Sequence, residues 1–496
     1  MPGILEDNFD VLLIGGGITG CGVARDAAMR GLKVILFEKD DFASGTSGRS
    51  SRLVHGGIRY LEHGQLHLVR ESIREREILL RIAPHLVQPL AFTWPIYRGA
   101  RVGRVKLGAG LFIYQLMAGS RAHRPSSLNA VQTLEREPAL AKPNLTGSAV
   151  YYDARTDDAR LTVANAIAAE QEGAVVMNHW RVTGVIRDGG KAVGAMVTSE
   201  LTAEKHEVPA RVIVNVTGVW QADFDGAQKT RHRGSKGVHI GVAREKVGNR
   251  EAVTMISPID GRVMFCLPAG AQTIIGTTDT WTDDAPETVH ASARDVDYLL
   301  RSANAYFPNA GLTPDDVVSA WAGIRPLAGG QPNNPSAASR EHSIIADDSG
   351  VIHVTGGKLT TYRSMAEEIV DRAQQALGRQ PTPSGTDSTE LPGADRDRKI
   401  ARLQQEDPRL ATQLVDGLAY TGAHFVYGVT AEKAQTLSDL LIRRTHLAFE
   451  TRDHGRSVAP RVADFVAPIL EWTDQTKSAR IREFEADVGH IFAITP

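Results

Sequence analysis

Only two cysteines, Cys21 and Cys266, occur among the 496 residues, which excludes a disulfide framework and a cysteine-rich metal site. Neither sign of charge is in excess: 56 Lys and Arg against 58 Asp and Glu give a formal net charge of −2. Without a basic surplus, nucleic acid is not an expected partner, and any anion site has to be built locally. Long hydrophobic runs are missing as well. Charge-free stretches such as 107–120 and 263–278 fall short of the ~20 apolar residues a spanning helix needs, so no transmembrane helix is expected. The opening MPGILEDNFD carries acids where a secretory signal has its basic region, which favours the cytosolic side. No repeat of solenoid period is visible. What is present, 42% hydrophobic and 23% charged residues, suits a globular protein with length for two or three domains.

The run DVLLI at 10–14 is too short for a helix and stops at three glycines, as a buried parallel strand does. A helix over about 18–30 and a strand at 33–38 complete a βαβ start. From 68 to 83 apolar residues recur at spacings of three and four, which predicts an amphipathic helix that Pro84 ends. Between 174 and 216 three apolar runs around Asp188-Gly189-Gly190 predict a small antiparallel meander. Further strands are expected at 273–277 and 351–355, the latter followed by a helix to about Leu377 that Thr360-Thr361 can cap. The segment 378–393 is rich in Pro, Gly, Ser and Thr and reads as an exposed linker. Residues 394–496 form a separate, mostly helical unit.

Gly15, Gly17 and Gly20 make GxGxxG directly after the first strand. The first glycine permits the tight turn, the second the approach of a pyrophosphate, and the third close helix packing. The helix N-terminus adds unpaired N–H groups and a positive dipole end. Glu38 ends the second strand 18 residues after Gly20, where a carboxylate can accept hydrogen bonds from a ribose diol and would repel a 2′-phosphate. An ADP-containing cofactor follows. FAD is favoured by SGTSGRSSRLVHGG at 44–57, whose small and hydroxylated residues can track a flavin closely, and by Gly356-Gly357-Lys358 at the end of a later strand. His63 and His67 are four apart without further ligands, so no metal is expected.

These residues resemble one family, the FAD-dependent, membrane-associated glycerol-3-phosphate dehydrogenases. The resemblance rests on GGGITGCGVARDAAMRG at 15–31, SSRLVHGGIRYLEHG at 50–64, TDDARL at 156–161, TTD at 277–279, GIRPL at 323–327 and GGKLTTYR at 356–363. It runs from about Asp10 to Arg372 and returns more weakly at LIRRTHLAFE, 441–450. NVTG at 215–218 and Arg52 depart mildly from the family pattern. It implies an α/β fold: a Rossmann-type, glutathione-reductase-like FAD domain, a β-rich substrate domain and an all-α C-terminal domain. The FAD-dependent region spans 1–378, its cofactor domain assembled from about 1–75, 145–235 and 320–378, with 379–393 as linker. The family assigns cofactor contacts to Gly15, Gly17, Ile18, Thr19, Gly20, Glu38 and Lys39. The second block adds Thr46, Ser47, Ser50, Ser51, Arg52, His55, Gly56 and Gly57. Val182, Thr217, Gly218, Gly323, Arg325, Gly357, Lys358, Leu359 and Thr360 complete the set. It also implies a membrane quinone as electron acceptor, peripheral attachment to the inner face of the membrane from the cytoplasm, and admits a homodimer.

Oxidising a secondary alcohol sends the C2 hydrogen to flavin N5 as hydride and the hydroxyl proton to a base. Glycerol 3-phosphate carries roughly −1.5 to −2 charges, so its grip needs two or three cations, Arg above all. Arg59, Arg325 and Lys358 sit in the family-like blocks, with Tyr60 and Thr278 as further substrate contacts. His239 in KGVHIGV is the first candidate base and His55 the second; a strand histidine satisfied by its neighbours is the alternative for His239. Arg325 could instead orient the hydroxyl and stabilise alkoxide character while it stays protonated, and Lys358 completes the catalytic set. Arg98, Arg101, Arg104 and Lys106 precede an apolar run reaching 119, a composition for a bilayer surface or for a buried helix with a solvated flank. Three other functions compete. One is a glycerol-3-phosphate oxidase using O₂, which resembles the dehydrogenases with an added segment not seen here. The others are an amine- or amino-acid-oxidising flavoenzyme and a flavin-bound scaffold without turnover.

Overall fold

A computed structural model describes residues 5, 7–58, 65–118, 124–223, 234–325 and 342–496. Two large sheets organise the chain. The first holds eight strands in the order β18 (His342–Ala346), β19 (Ile352–Gly356), β10 (Lys205–Asn215), β1 (Phe9–Ile14), β2 (Val34–Glu38) and β7 (Val175–Asn178), extended by β8 (Trp180–Asp188) and β9 (Lys191–Ser199). The strands β19, β10, β1, β2 and β7 run parallel. Being covered on both faces, β1 and β2 carry unbroken apolar runs, Val11–Ile14 and Val34–Phe37, instead of alternating. Helices α1 (Ile18–Met29), α4 (Asp158–Gln171) and α6 (Tyr362–Ala376) are among the elements covering this sheet, Ala24, Ala27, Ala166, Ala169, Ala366 and Ile369 sharing one core with β1 and β2.

The expected meander holds for β8, β9 and β10, which pair antiparallel in turn. Two of its parts belong elsewhere. The run at 175–178 is β7, parallel to β2, and the second half of β10 lies parallel to β1. Period and composition could not separate these from a meander, because a fully buried strand is uniformly apolar in either setting.

The second sheet has ten strands, including β3 (Leu53–Val54), β4 (Val87–Tyr97), β5 (Ser126–Asn129), β6 (Leu145–Thr156), β11 (Gly234–Ala243), β12 (Ala252–Ile256), β13 (Val263–Ala269), β14 (Gln272–Gly276), β15 (Thr280–Thr282) and β17 (Val317–Arg325). The backbone at 145–156 and 317–325 thus lies in this second sheet. One face of β11 and β17 sends Val238, Ile240, Ala322 and Ile324 into a core shared with α5 (Ala293–Tyr306). The amphipathic helix expected at 68–83 is α2 (Leu66–Ile82).

Residues 379–393 are irregular, as the composition predicts, and are also tied down. Arg25 Nη2 donates to Thr389 O at 2.6 Å, Arg30 Nη1 to Thr382 O at 2.6 Å, and Leu391 N to Ile82 O at 2.8 Å. Beyond them come helices at Arg396–Glu406, Gly422–Glu432, Ala459–Val466 and Asp474–Ile491, with a π-helical turn at Asp439–Arg444. The chain end returns as β20 (Ile494–Thr495), parallel to β16 (Ala291–Ser292). No helix among the described residues is long and apolar enough to cross a membrane.

Candidate active site

A cleft of about 450 Å³ runs between the two sheets. At one end β1 delivers the glycine turn. Gly15 has φ +114°, and a Cβ there would stand 2.9 Å from Val216 O; a Cβ on Gly20 would stand 1.9 Å from Gly15 O. Gly20 is therefore a packing residue behind the wall, while Gly15, Gly17, Ile18 and Thr19 line it. The α1 N-cap, Gly17, provides no side-chain cap, and Ile18 N donates to Ser47 Oγ at 2.9 Å. The turn thus closes only with a minimal backbone, the cradle a pyrophosphate requires, and the residues fit an ADP-bearing flavin.

Glu38 stands beside it. Its carboxylate accepts from Gly16 N at 2.6 Å and Asp40 N at 2.9 Å, while burial, and then the charge of Asp40, push its pKa up to about 7. Lys39 Nζ reaches Glu287 Oε1 at 3.2 Å and sits 4.8 Å from the Trp220 ring, whose Nε1 also donates to Glu287. Trp220 and Glu287 line the cleft from distant segments, and no local pattern marks either of them.

The middle of the wall is the 44–51 segment. Ser50 donates through N and Oγ to Asp158 Oδ2 at 3.0 and 2.6 Å, and Thr46 Oγ1 donates to Ile324 O at 2.7 Å. Thr46, Ser47, Ser50, Ser51, Val182, Thr217, Gly218 and Gly323 all face the cleft, as do Ser44, Gly45 and Arg49. Burial, and then Arg443, lower the pKa of Arg49 to about 10.

The far end is built by alternation. In register, Gly237 of β11 faces Gly323 of β17, and His239 faces Trp321 on one side and Gly276 on the other. With their neighbours turned into the core, Gly237, His239, Gly323 and Arg325 present one face to the cleft. Gly237 and Gly276 make room: a Cβ would lie 2.3 Å from Arg325 Nη2 in the first case and 2.3 Å from His239 Cδ2 in the second. The Arg325 guanidinium is held by Asp279 Oδ1 at 3.2 Å, Thr277 Oγ1 at 3.0 Å and Thr278 O at 3.2 Å. Arg262 shares Asp279 at 3.1 Å.

His239 is 3% exposed. Its Nε2 meets Ser51 Oγ at 2.8 Å, its ring stacks on Trp321 at 5.4 Å, and Nδ1 has no hydrogen-bond partner among the described residues. Burial, then the positive charges of Arg325 and Arg52, bring its pKa down to about 3. His55, Gly357, Lys358, Leu359 and Thr360 also line the cleft. Thr361 is the α6 N-cap without a side-chain cap bond, and Thr360 Oγ1 instead meets His55 N at 3.2 Å.

Five expected contacts do not line the cleft. Gly20 packs α1 on its own turn. Arg52, at φ +54°, points its guanidinium away, 4.8 Å from the Phe449 ring and 5.7 Å from Trp321. Gly56 N donates to Asp153 Oδ1 at 3.0 Å and Gly57 N to His55 Nδ1 at 3.1 Å, so both serve the turn. Thr278 Oγ1 accepts from Val238 N at 2.9 Å inside the sheet. Arg59 and Tyr60 lie outside the described residues.

A model of the FAD dependent oxidoreductase family matches residues 10–372, and one described as the C-terminal domain of alpha-glycerophosphate oxidase matches 386–477. The chain is 36% identical over 521 residues to glycerol-3-phosphate dehydrogenase 2 of Mycobacterium bovis, covering 97% of this chain and 88% of that one. It is 34% identical over 520 residues to the aerobic glycerol-3-phosphate dehydrogenase of Bacillus subtilis, covering 95% and 93%. Among solved structures, the glycerol-3-phosphate dehydrogenase from Bacillus halodurans complexed with FAD matches with a TM-score of 0.78 at 32% identity, over 99% of this chain and 96% of that one. The L-alpha-glycerophosphate oxidase from Mycoplasma pneumoniae shares the fold, with a TM-score of 0.58 at 18% identity.

Proposed function

The chain belongs to the FAD-dependent glycerol-3-phosphate dehydrogenase family, and from that premise we propose that it oxidises sn-glycerol 3-phosphate to dihydroxyacetone phosphate and passes the electrons to a membrane quinone. The observation that carries this reading is that Arg325, Lys358 and a neutral His239 line the same cleft as the glycine turn and Glu38.

FAD, when bound, supplies the two-electron acceptor for the hydrogen on C2. The residues of the chain do the rest. Arg325 and Lys358 hold the phosphate, and Asp279, fixed in turn by Arg262, keeps the Arg325 guanidinium at a set orientation. His239 takes the C2 hydroxyl proton at Nε2, the nitrogen that meets Ser51 Oγ, with the ring in its Nδ1–H tautomer. A histidine titrating near 3 is a poor base. Burial is the larger cause of that lowering; arrival of a dianion beside Arg325 offsets part of the smaller contribution from the positive field and so raises the ring's basicity when substrate is in place. The reaction is thereby tied to a phosphorylated alcohol.

Peripheral membrane contact is assigned to α3 (Arg104–Ala118). Its Leu107, Leu111 and Tyr114 are buried, whereas Val105, Phe112 and Leu116 are 87%, 70% and 72% exposed, with Arg101, Arg104 and Lys106 in the solvated flank. An apolar row beside cations suits an anionic bilayer surface.

Double-mixing stopped flow tests the acceptor. The flavin is first reduced with glycerol 3-phosphate without oxygen, then mixed with a soluble quinone or with air-saturated buffer. Reoxidation by the quinone is expected to be at least about tenfold faster, roughly 1.4 kcal/mol of barrier. Equal rates would favour the oxidase.

A further inference from the structure

No residue of the C-terminal helical domain lines the cleft among the described residues, yet its ionic contacts converge on the two segments that form the wall. The first is the turn after β2. Asp41, three residues beyond Glu38, is fully buried. Its Oδ2 accepts from Arg443 Nε at 2.7 Å and Arg444 Nη1 at 2.6 Å, and its Oδ1 from Arg444 Nη2 at 2.9 Å and Asn178 Nδ2 at 2.9 Å. Both arginines come from the π-helical turn at Asp439–Arg444. Asp439 of that turn takes Arg443 Nη2 and His179 Nε2, each at 2.9 Å, while His179 N donates to Asp40 O at 2.6 Å. Asp41, His179 and Asp439 lie within cation-binding reach of one another, and the two guanidiniums already supply the positive charge. The same turn is bonded to the glycine loop through Ala43 N to Gly16 O at 3.1 Å and Gly16 N to Glu38.

The second segment is 50–51. Asp158 holds Ser50 from below, and the adjacent Asp157 accepts from His446 Nε2 at 2.9 Å. One turn on, Arg160 pairs with Glu432 at 2.7 Å. His446 and Glu432 both belong to the C-terminal domain.

A carboxylate with no exposure is tolerated only with its partners in place. Removing Arg443 and Arg444 would draw Asp41 toward water, and the Glu38 turn with it. We propose that the C-terminal domain is a clamp on the cofactor site, in which Arg443, Arg444 and His446 are positioning residues that hold the Glu38 turn and the Ser50 segment in cofactor-binding shape. Docking of the domain and retention of the cofactor then stabilise each other, because coupling between two sites is reciprocal. The inference rests on FAD being the cofactor.

Hydrogen exchange on the full-length protein, with FAD bound and after its removal, reads the coupling directly. Peptides spanning 432–446 are expected to exchange faster without FAD, although none of these residues touches the cleft; equal uptake in the two states overturns the clamp. In Arg444→Lys, which keeps the charge and loses the two-pronged contact, the dissociation constant for FAD is expected to rise about fivefold or more, with a larger drop in melting temperature for the FAD-bound protein than for the FAD-free one. An unchanged constant, or equal drops in melting temperature with and without FAD, would mark a purely structural bridge. Should Arg444→Lys fail to fold, His446→Ala and the wild-type exchange comparison decide. A preparation that neither holds nor takes up flavin refutes the FAD reading itself and is distinguishable from a flavoprotein whose 432–446 segment is indifferent to it.

Discussion

Arg325 shows how a single side chain becomes specific. Asp279, Thr277 and the Thr278 carbonyl fix its guanidinium, and Gly237 leaves it space. Loss of a charge-assisted contact to a phosphate costs about 3 kcal/mol, so Arg325→Ala is expected to raise the KM for glycerol 3-phosphate about 100-fold while the flavin spectrum stays. A KM within a factor of two or three of the wild type would remove Arg325 from the phosphate grip. Glu38 gives a pH dependence. In the FAD-free protein its pKa is raised to about 7, so below that pH the carboxyl is largely protonated, whereas a ribose diol donating into it favours the carboxylate. FAD binding then releases a proton, and affinity should climb as pH approaches 7 from below and level off above it. Titrations at pH 5.5, 6.5 and 8 check this, and Glu38→Gln should flatten the slope. The residues recognisable in the sequence, Glu38, His239, Arg325 and Lys358, sit in motif-like blocks. Trp220 and Glu287 reach the cleft through tertiary placement alone, and Arg52 is turned away by a left-handed backbone that composition does not reveal.

At the level of elements, periodicity identified β1, α1, β2 and α2 to within two residues, because each has a short, strongly patterned run with a clear stop. It did not separate β7 from the β8–β10 meander, since partner choice for a uniformly apolar strand is settled by the rest of the sheet. Gly237 and His239, and likewise Gly323 and Arg325, are two apart. His239 is already read as a strand residue from the sequence, so the Gly237–His239 face was legible there, whereas no strand was expected at 323–325. For α3 the sequence left a choice between a buried helix and a surface one, and the element is both: one stripe is buried and the opposite row exposed. Replacing Phe112 and Leu116 by Ser should weaken binding to vesicles containing anionic lipid by about tenfold or more and leave activity toward a soluble acceptor intact. Sedimentation with such vesicles measures it, and unchanged binding would move the membrane surface elsewhere.

For the whole molecule, the two sheets flank the cleft and the helices after 393 form a third part. The irregular 379–393 segment is bonded along α1 and α2, and the last strand returns to β16, so the parts are held together at several places. The central claim is that this assembly sets a phosphorylated secondary alcohol against FAD. Its most direct test is anaerobic titration of the purified flavoprotein with glycerol 3-phosphate, following the flavin absorbance and assaying the product. Bleaching with one equivalent of dihydroxyacetone phosphate per flavin, and none at the same concentration of unphosphorylated glycerol, is the predicted result; a flavin that stays oxidised, or that responds equally to both alcohols, would contradict it.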